Sequence, residues 1–234
     1  MIFDGFPPTL ANTDLRFTLK NDERAKHPHI IFVPKDARWS NIIFDSSLVT
    51  TVVGTADRRR NAIAQLANAV QSDGLQGITV DFELVPASAH PQVLAFITEL
   101  RAALKPLHAV VSAAIPVSEG DGYPLAEYGA AVDYLIPMLY DEHAEQGEPG
   151  PVASAPWFAK RLDLVLASVP AAKLLVGVGQ YGYHWRSDRP DATTISVSEA
   201  MALGRASPAG PTFEATARNP MARWRDEAEV THTV

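Results

Sequence analysis

The chain has 234 residues, 47% of them hydrophobic, enough for the core of one sizeable domain or two small ones. Its net charge of −7 is spread over both signs, so no basic patch points to nucleic acid, and the absence of cysteine excludes disulfides, thiolate catalysis and thiolate-bound metal. No run of about 18 apolar residues offers a membrane span, and "MIFDGFPPTL" lacks the basic and apolar regions of a signal peptide.

Residues 1–28 hold at most one weak strand. The first clear strand is "HIIFVP" (29–34), a short apolar run of the kind that forms buried parallel strands. "RRRNAIAQLANAVQ" then places Ile63, Leu66 and Val70 on one helical stripe. The basic run "DRRR" (57–60) at its start reads as a capped, solvated first turn, although positive charge is unfavourable there. "GITVDFEL" (77–84) is the second strand. "HPQVLAFITELRAALK" carries a helical stripe of Val93, Phe96, Ile97, Leu100 and Leu104, and "VVSAAIP" (110–116) is the third strand. A short helix is expected within 121–131, followed by a fourth strand, "DYLIPMLY" (133–140). "SAPWFAKRLDLVLASV" predicts a helix burying Phe158, Leu162, Val165 and Leu166, and "LLVGVGQYG" (174–182) a fifth strand. Ser196 and Glu199 form a capping box for a helix over about 196–206. The tail after 207 reads as loop, with "EVTHTV" (229–234) beginning a strand.

Strands alternating with helices indicate repeated βαβ units. No G-x-G-x-x-G or P-loop follows a strand, which weighs against a nucleotide-binding sheet. Polar residues gather instead at C-terminal strand ends: Asp36, Asp81 and Glu83, Ser118 and Glu119, Tyr140 and Asp141, Tyr181 and Tyr183. That is where (β/α)8 barrels build their sites. The expected fold is therefore an α/β TIM barrel, incomplete, with five of about eight strands recognisable and the first and last missing. Residues 1–234 then form a single barrel domain cut at both ends.

Asp81 and Glu83 fall on one strand face about 6–7 Å apart. Such a pair suits acid–base work, one carboxyl held protonated while the other stays ionised. An edge strand with a solvated face, or two surface salt bridges, would show the same alternation. In "PMLYDEH" (137–143) Met138 and Tyr140 share a direction and Asp141 closes the strand. Core packing also suits that methionine and tyrosine. The run "DEH" does not make a metal site, because three consecutive residues cannot face one ion. His27 and His29 read as solvated or core-satisfied. Trp39, Trp185 and Trp224 suit sugar stacking or loop anchoring equally.

Together, "QGITVDFE", "MLYDEH" and "GVGQYGYHW" resemble glycoside hydrolase family 18, the chitinase and N-acetylglucosaminidase family. The likeness is greatest to the bacterial branch with spore cortex-lytic enzymes and barrels fused to deacetylase or glycosyltransferase modules. It covers about residues 29–190. The resemblance implies that Glu83 is the general acid, that Asp81 holds the substrate's acetamido N–H and that Tyr140 bonds the acetamido oxygen. Asp141, Met138, Tyr181, Tyr183 and Trp185 fall where that family binds the sugar. It further implies a retaining, substrate-assisted mechanism on an N-acetylated polysaccharide, with no metal and no cofactor, at an extracytoplasmic or cell-envelope location. Gln76 and Thr79 stand where the family's motif has aspartates, and Thr79 is left to hydrogen-bond Asp81 without adding charge. Two rival readings are a lectin-like carbohydrate-binding relative and a barrel enzyme using metal-assisted hydrolysis.

Overall fold

The structure, a computed structural model, describes residues 2–3, 15–19, 29–34, 46–117, 120 and 122–234. The candidates His27, Asp36, Trp39, Ser118 and Glu119 lie outside them. The chain divides into two compact units, Met1–Pro137 with Leu166–Leu175, and Met138–Val165 with Val176–Val234.

In the first unit, strands β1 (Ile2–Phe3), β2 (Leu15–Leu19) and β3 (His29–Pro34) pair antiparallel in succession. Helices α1 (Ser46–Val53) and α2 (Ala56–Asp73) lead to β4 (Gly77–Asp81), and α3 (His90–Leu104) to β5 (Val110–Pro116). Then α4 (Leu125–Ala131) precedes β6 (Tyr134–Met138). The sheet runs β1-β2-β3-β4-β5-β6, parallel across β3–β4–β5. Among the described residues this order is open, with no pairing that joins its ends.

Local signals explain these elements. Thr55 caps α2 by accepting from the Arg58 amide, and Gly74 ends the helix at φ 64°, a conformation glycine adopts without steric cost. The predicted α2 stripe is buried, as is every predicted position on α3. Arg59 ties the two helices together through Glu99 at 2.8 Å and also donates to the Val53 carbonyl, which gives the basic run a structural role.

In the second unit, α5 (Ala155–Leu166) precedes the hairpin of β7 (Tyr181–Arg186) and β8 (Thr193–Ser196). After α6 (Val197–Ala206) come β9 (Thr212–Glu214), β10 (Asn219–Met221), β11 (Arg223–Arg225) and β12 (Thr231–Thr233). One sheet has the order β11-β12-β7-β8, and β9 pairs with β10. The Ser196–Glu199 capping box forms in full.

Several expectations are corrected. Two strands, not one, occupy the described part of 1–28. The strand expected within 229–234 is β12, but the rest of the tail after 207, read as loop, forms the short antiparallel strands β9, β10 and β11; their polar, proline-broken sequence lacks the apolar run that marks a buried strand. The run 174–182 is not one strand. Only Leu174 and Gly177 make isolated parallel bridges, to Leu135 and Met138, and regular pairing starts at Tyr181 in the other direction. Leu166, placed on the buried stripe of α5, is exposed, and the buried positions are Arg161 and Val165.

Candidate active site

The strand β4 has two covered faces. Ile78, Val80 and Phe82 are buried on one, with the Phe82 ring stacked at 5.8 Å on Phe96 of α3. Thr79 is buried on the other, where parallel register sets it beside Ser112 of β5, and their hydroxyls bond at 2.8 Å. The sequence reading left Thr79 to bond Asp81. The partner of Thr79 is Ser112 rather than Asp81, because register brings a second hydroxyl alongside. The Thr79 hydroxyl is thus satisfied internally rather than by bulk water.

Asp81 ends β4, opposite Ala114, and is half-buried. The strand expected over 77–84 stops at Asp81, so Glu83 does not share a strand face with it: it lies just beyond, also half-buried, before a bend at Leu84, which has φ 53° and is 69% exposed. A left-handed leucine costs about 1–2 kcal/mol and persists only where the surroundings hold it. Tyr123 supplies that hold. Its hydroxyl donates to the Phe82 carbonyl at 2.9 Å and accepts from the Val85 N–H at 3.3 Å.

Tyr123 is itself packed. The His90 ring meets it edge-on at 4.8 Å, and Tyr128 lies 5.6 Å away. His90 Nδ1 and the Tyr128 hydroxyl are 3.0 Å apart, with His90 5% and Tyr128 2% exposed. Burial lowers the His90 imidazole below its ordinary value, and burial followed by the neighbouring Tyr123 raises the Tyr128 phenol. Sequence reasoning missed this trio. Its only trace is two tyrosines in 121–131, with nothing local to say what their hydroxyls reach.

In the second unit, Met138 is buried and bridges Gly177, whose carbonyl accepts from the Leu139 amide at 3.2 Å. Tyr140 and Asp141 follow. A side chain at Gly179 would stand 3.0 Å from Cβ of Tyr140 and 3.0 Å from Val152, so glycine permits that close approach. Asp141 adopts φ 64°, which aspartate tolerates better than most residues. Its Oδ1 accepts from the hydroxyls of both Tyr183, at 2.7 Å, and Tyr181. Burial first, and then bonding to Asp141, raise both phenols and keep them protonated.

Tyr181, Tyr183 and Trp185 occupy alternate positions of β7 and so share a face. Their rings run edge to face, Tyr140 to Tyr181 at 6.0 Å, Tyr181 to Tyr183 at 5.6 Å and Tyr183 to Trp185 at 5.3 Å. Tyr183 and Trp185 are 6% and 8% exposed and form a small core with Ala192. Tyr181, Tyr183 and Trp185 also line a cavity of about 490 Å³ with Phe158, Val197 and Met201. The buried Trp185 indole N–H has no hydrogen-bond partner among the described residues.

The run "DEH" divides as its geometry requires. Asp141 turns to the tyrosines, Glu142 accepts from the Ser154 amide and hydroxyl, and the His143 ring bonds the Pro151 carbonyl. No grouping of His, Asp and Glu suited to a metal occurs among the described residues. Trp224 does not join Trp185. Strand register places Trp224 on the opposite face of its sheet, stacked on His232 at 4.7 Å and on His184 at 6.0 Å.

Taken unit by unit, this is an α/β protein with Asp81 and Glu83 at the end of β4, and with Tyr140 and Asp141 just past β6. The sequence model for Glycosyl hydrolases family 18 matches residues 11–231, and the chain belongs to that family. YdhD of Bacillus subtilis, named as a sporulation-specific glycosylase, is 30% identical over 200 residues, covering 82% of this chain and 48% of that protein. Its crystal structure superposes with a TM-score of 0.76, over 81% of this chain and 66% of that one. The crystal structure of a chitinase from Chromobacterium violaceum matches at 29% identity and a TM-score of 0.77, over 88% of this chain and 65% of that one. The cortical fragment-lytic enzyme of Bacillus cereus is 24% identical over 202 residues, 82% of this chain and 47% of that protein. The chain therefore spans about half the length of these curated relatives.

Proposed function

We propose that the protein is a glycoside hydrolase that cleaves β-linked N-acetylglucosamine polymers, chitin-like or the glycan of peptidoglycan, with retention of configuration. The observation that carries this reading is Glu83, two residues past Asp81 where β4 ends, in a chain matched to family 18 over residues 11–231. The names of the relatives, a chitinase and a cortical fragment-lytic enzyme, support the substrate class. We take residues 1–234 as one domain of the (β/α)8 kind, acting outside the cytoplasm or at the cell envelope.

Glu83 donates its proton to the glycosidic oxygen as that bond breaks. The substrate's acetamido oxygen attacks the anomeric carbon, so no enzyme nucleophile is needed, and the family is an exception to the two-carboxylate scheme. Asp81 holds the acetamido N–H and Tyr140 donates to its carbonyl oxygen. Glu83, now a carboxylate, then removes a proton from the water that opens the cyclic intermediate. Asp141, Met138, Tyr181, Tyr183 and Trp185 shape and bind the sugar, with Asp141 oriented by its two tyrosines. No metal or cofactor enters these steps.

A second reading is a carbohydrate-binding relative with weak catalysis. It is favoured by Thr79, whose hydroxyl is committed to Ser112 and places no charge beside Asp81. One experiment separates the readings. A fluorogenic chitobioside, the matching cellobioside and isolated peptidoglycan are each incubated with the protein. Hydrolysis of N-acetylated substrates alone, with the β-anomer as first product by proton NMR, is the expected result. Binding without hydrolysis would establish the carbohydrate-binding reading, and equal cleavage of the cellobioside would overturn the acetamido mechanism.

A further inference from the structure

We propose that Tyr123 is the positioning residue for the proton donor Glu83, an inference that rests on the acid assignment above. Phe82 and Val85 bracket Glu83 and Leu84, and in an ordinary tight turn the carbonyl of the first residue would bond the amide of the fourth. Here a phenol oxygen stands between them, donating to the Phe82 carbonyl at 2.9 Å and accepting from the Val85 N–H at 3.3 Å. One atom thus sets the span of the bend that carries the acid. The bend also holds Leu84 at φ 53°, which a leucine does not adopt unaided.

The phenol is anchored from two other elements. His90, the first residue of α3, packs edge-on against it at 4.8 Å, and Tyr128 of α4 lies 5.6 Å away and bonds His90 at 3.0 Å. On the opposite side of the backbone, Phe82 is fixed by its stack on Phe96. The acid is therefore carried by a short arm gripped at both ends rather than by a free loop. Proton donation to a glycosidic oxygen requires the carboxyl within hydrogen-bond reach of one atom. A displacement of about 1 Å in such an arrangement costs on the order of a hundredfold in rate.

Tyr123→Phe removes both hydrogen bonds and keeps the ring. Two readouts test it, with Glu83→Gln as a parallel control. Amide exchange at Val85 is expected to speed up by more than the accompanying loss of global stability accounts for. In the same variant kcat on unactivated chitooligosaccharides is expected to fall about 10- to 100-fold with little change in KM. Its first-turnover burst of dinitrophenolate from a dinitrophenyl glycoside, the one step whose leaving group needs no proton, is expected to stay near wild type. Adding Leu84→Asn, whose side chain tolerates the left-handed backbone, is expected to restore part of the lost rate. Unchanged exchange at Val85 would overturn the tether whatever the activity, and equal slowing on both substrates would overturn the positioning role. Full activity of Glu83→Gln on chitooligosaccharides would overturn the acid assignment itself, an outcome told apart because Val85 exchange is read without substrate.

Discussion

The hydroxyl of Tyr183 donates to Oδ1 of Asp141 at 2.7 Å, and Tyr181 donates to that same oxygen. Two phenols from alternate positions of β7 therefore fix an aspartate held at positive φ. Hydrogen bonds to a charged acceptor contribute roughly 1.5–3 kcal/mol each, more than neutral ones. Tyr183→Phe is expected to cost stability within that range. If Asp141 contacts the sugar, kcat/KM falls about tenfold as well, carried mainly by KM. Denaturant melts and steady-state kinetics on a fluorogenic chitobioside check both parts. An unchanged midpoint would show that the phenol adds nothing.

Thr79 and Ser112 present a separable pair. Thr79→Val leaves the Ser112 hydroxyl buried without its partner, a cost of about 1–3 kcal/mol. The double variant Thr79→Val, Ser112→Ala removes both polar groups and is expected to be less destabilised than the sum of the single changes. A double-mutant cycle by chemical denaturation reads the coupling. Strict additivity would contradict a direct bond.

Stability should fall on mild acidification. Burial lowers the imidazoles of His90 and His184 below their ordinary value of 6.5; for His184, nearby His232, Arg186 and Arg189 add to it. Between the depressed folded value and 6.5 the unfolded chain binds more protons, so stability rises with pH through that window. The contribution is complete above 6.5 and is lost as pH falls toward the folded values. Thermal midpoints across this range test the sign, and a midpoint that rises on acidification would contradict it.

Gly129 sits where α4 meets Val169. A methyl group there would lie 2.7 Å and 3.0 Å from the two Val169 methyls, and a buried valine has little freedom to move aside. Gly129→Ala is therefore expected to destabilise by about 1–3 kcal/mol despite alanine's better helix propensity. For a chain of this size that lowers the thermal midpoint by about 2–4 °C per kcal/mol. A stabilised variant would show that propensity outweighs the clash.

What the sequence discloses depends on how local the cause is. The bounds of β3 and β5 and the stripes of α2 and α3 follow from hydrophobic period and capping, so they are readable. That Asp81 closes β4 is readable from the apolar alternation before it, whereas the bend that takes Glu83 off the strand is not. The β7 aromatics are legible as residues but not in place, because "LLVGVGQYG" has the composition of a parallel strand ending in them. Their antiparallel pairing depends on β8 and β12, which carry weak strand signals. Tyr123 left no signal, since its role needs a hydroxyl to meet backbone 38 and 41 residues away in sequence.

The central claim is that Glu83 gives the proton. Glu83→Gln keeps the side chain's size and hydrogen-bonding reach and removes the acid. On unactivated chitooligosaccharides kcat is predicted to fall at least about a hundredfold, the scale of general acid catalysis, with thermal stability near wild type. A folded Glu83→Gln protein that cleaves those substrates at the wild-type rate would contradict the account.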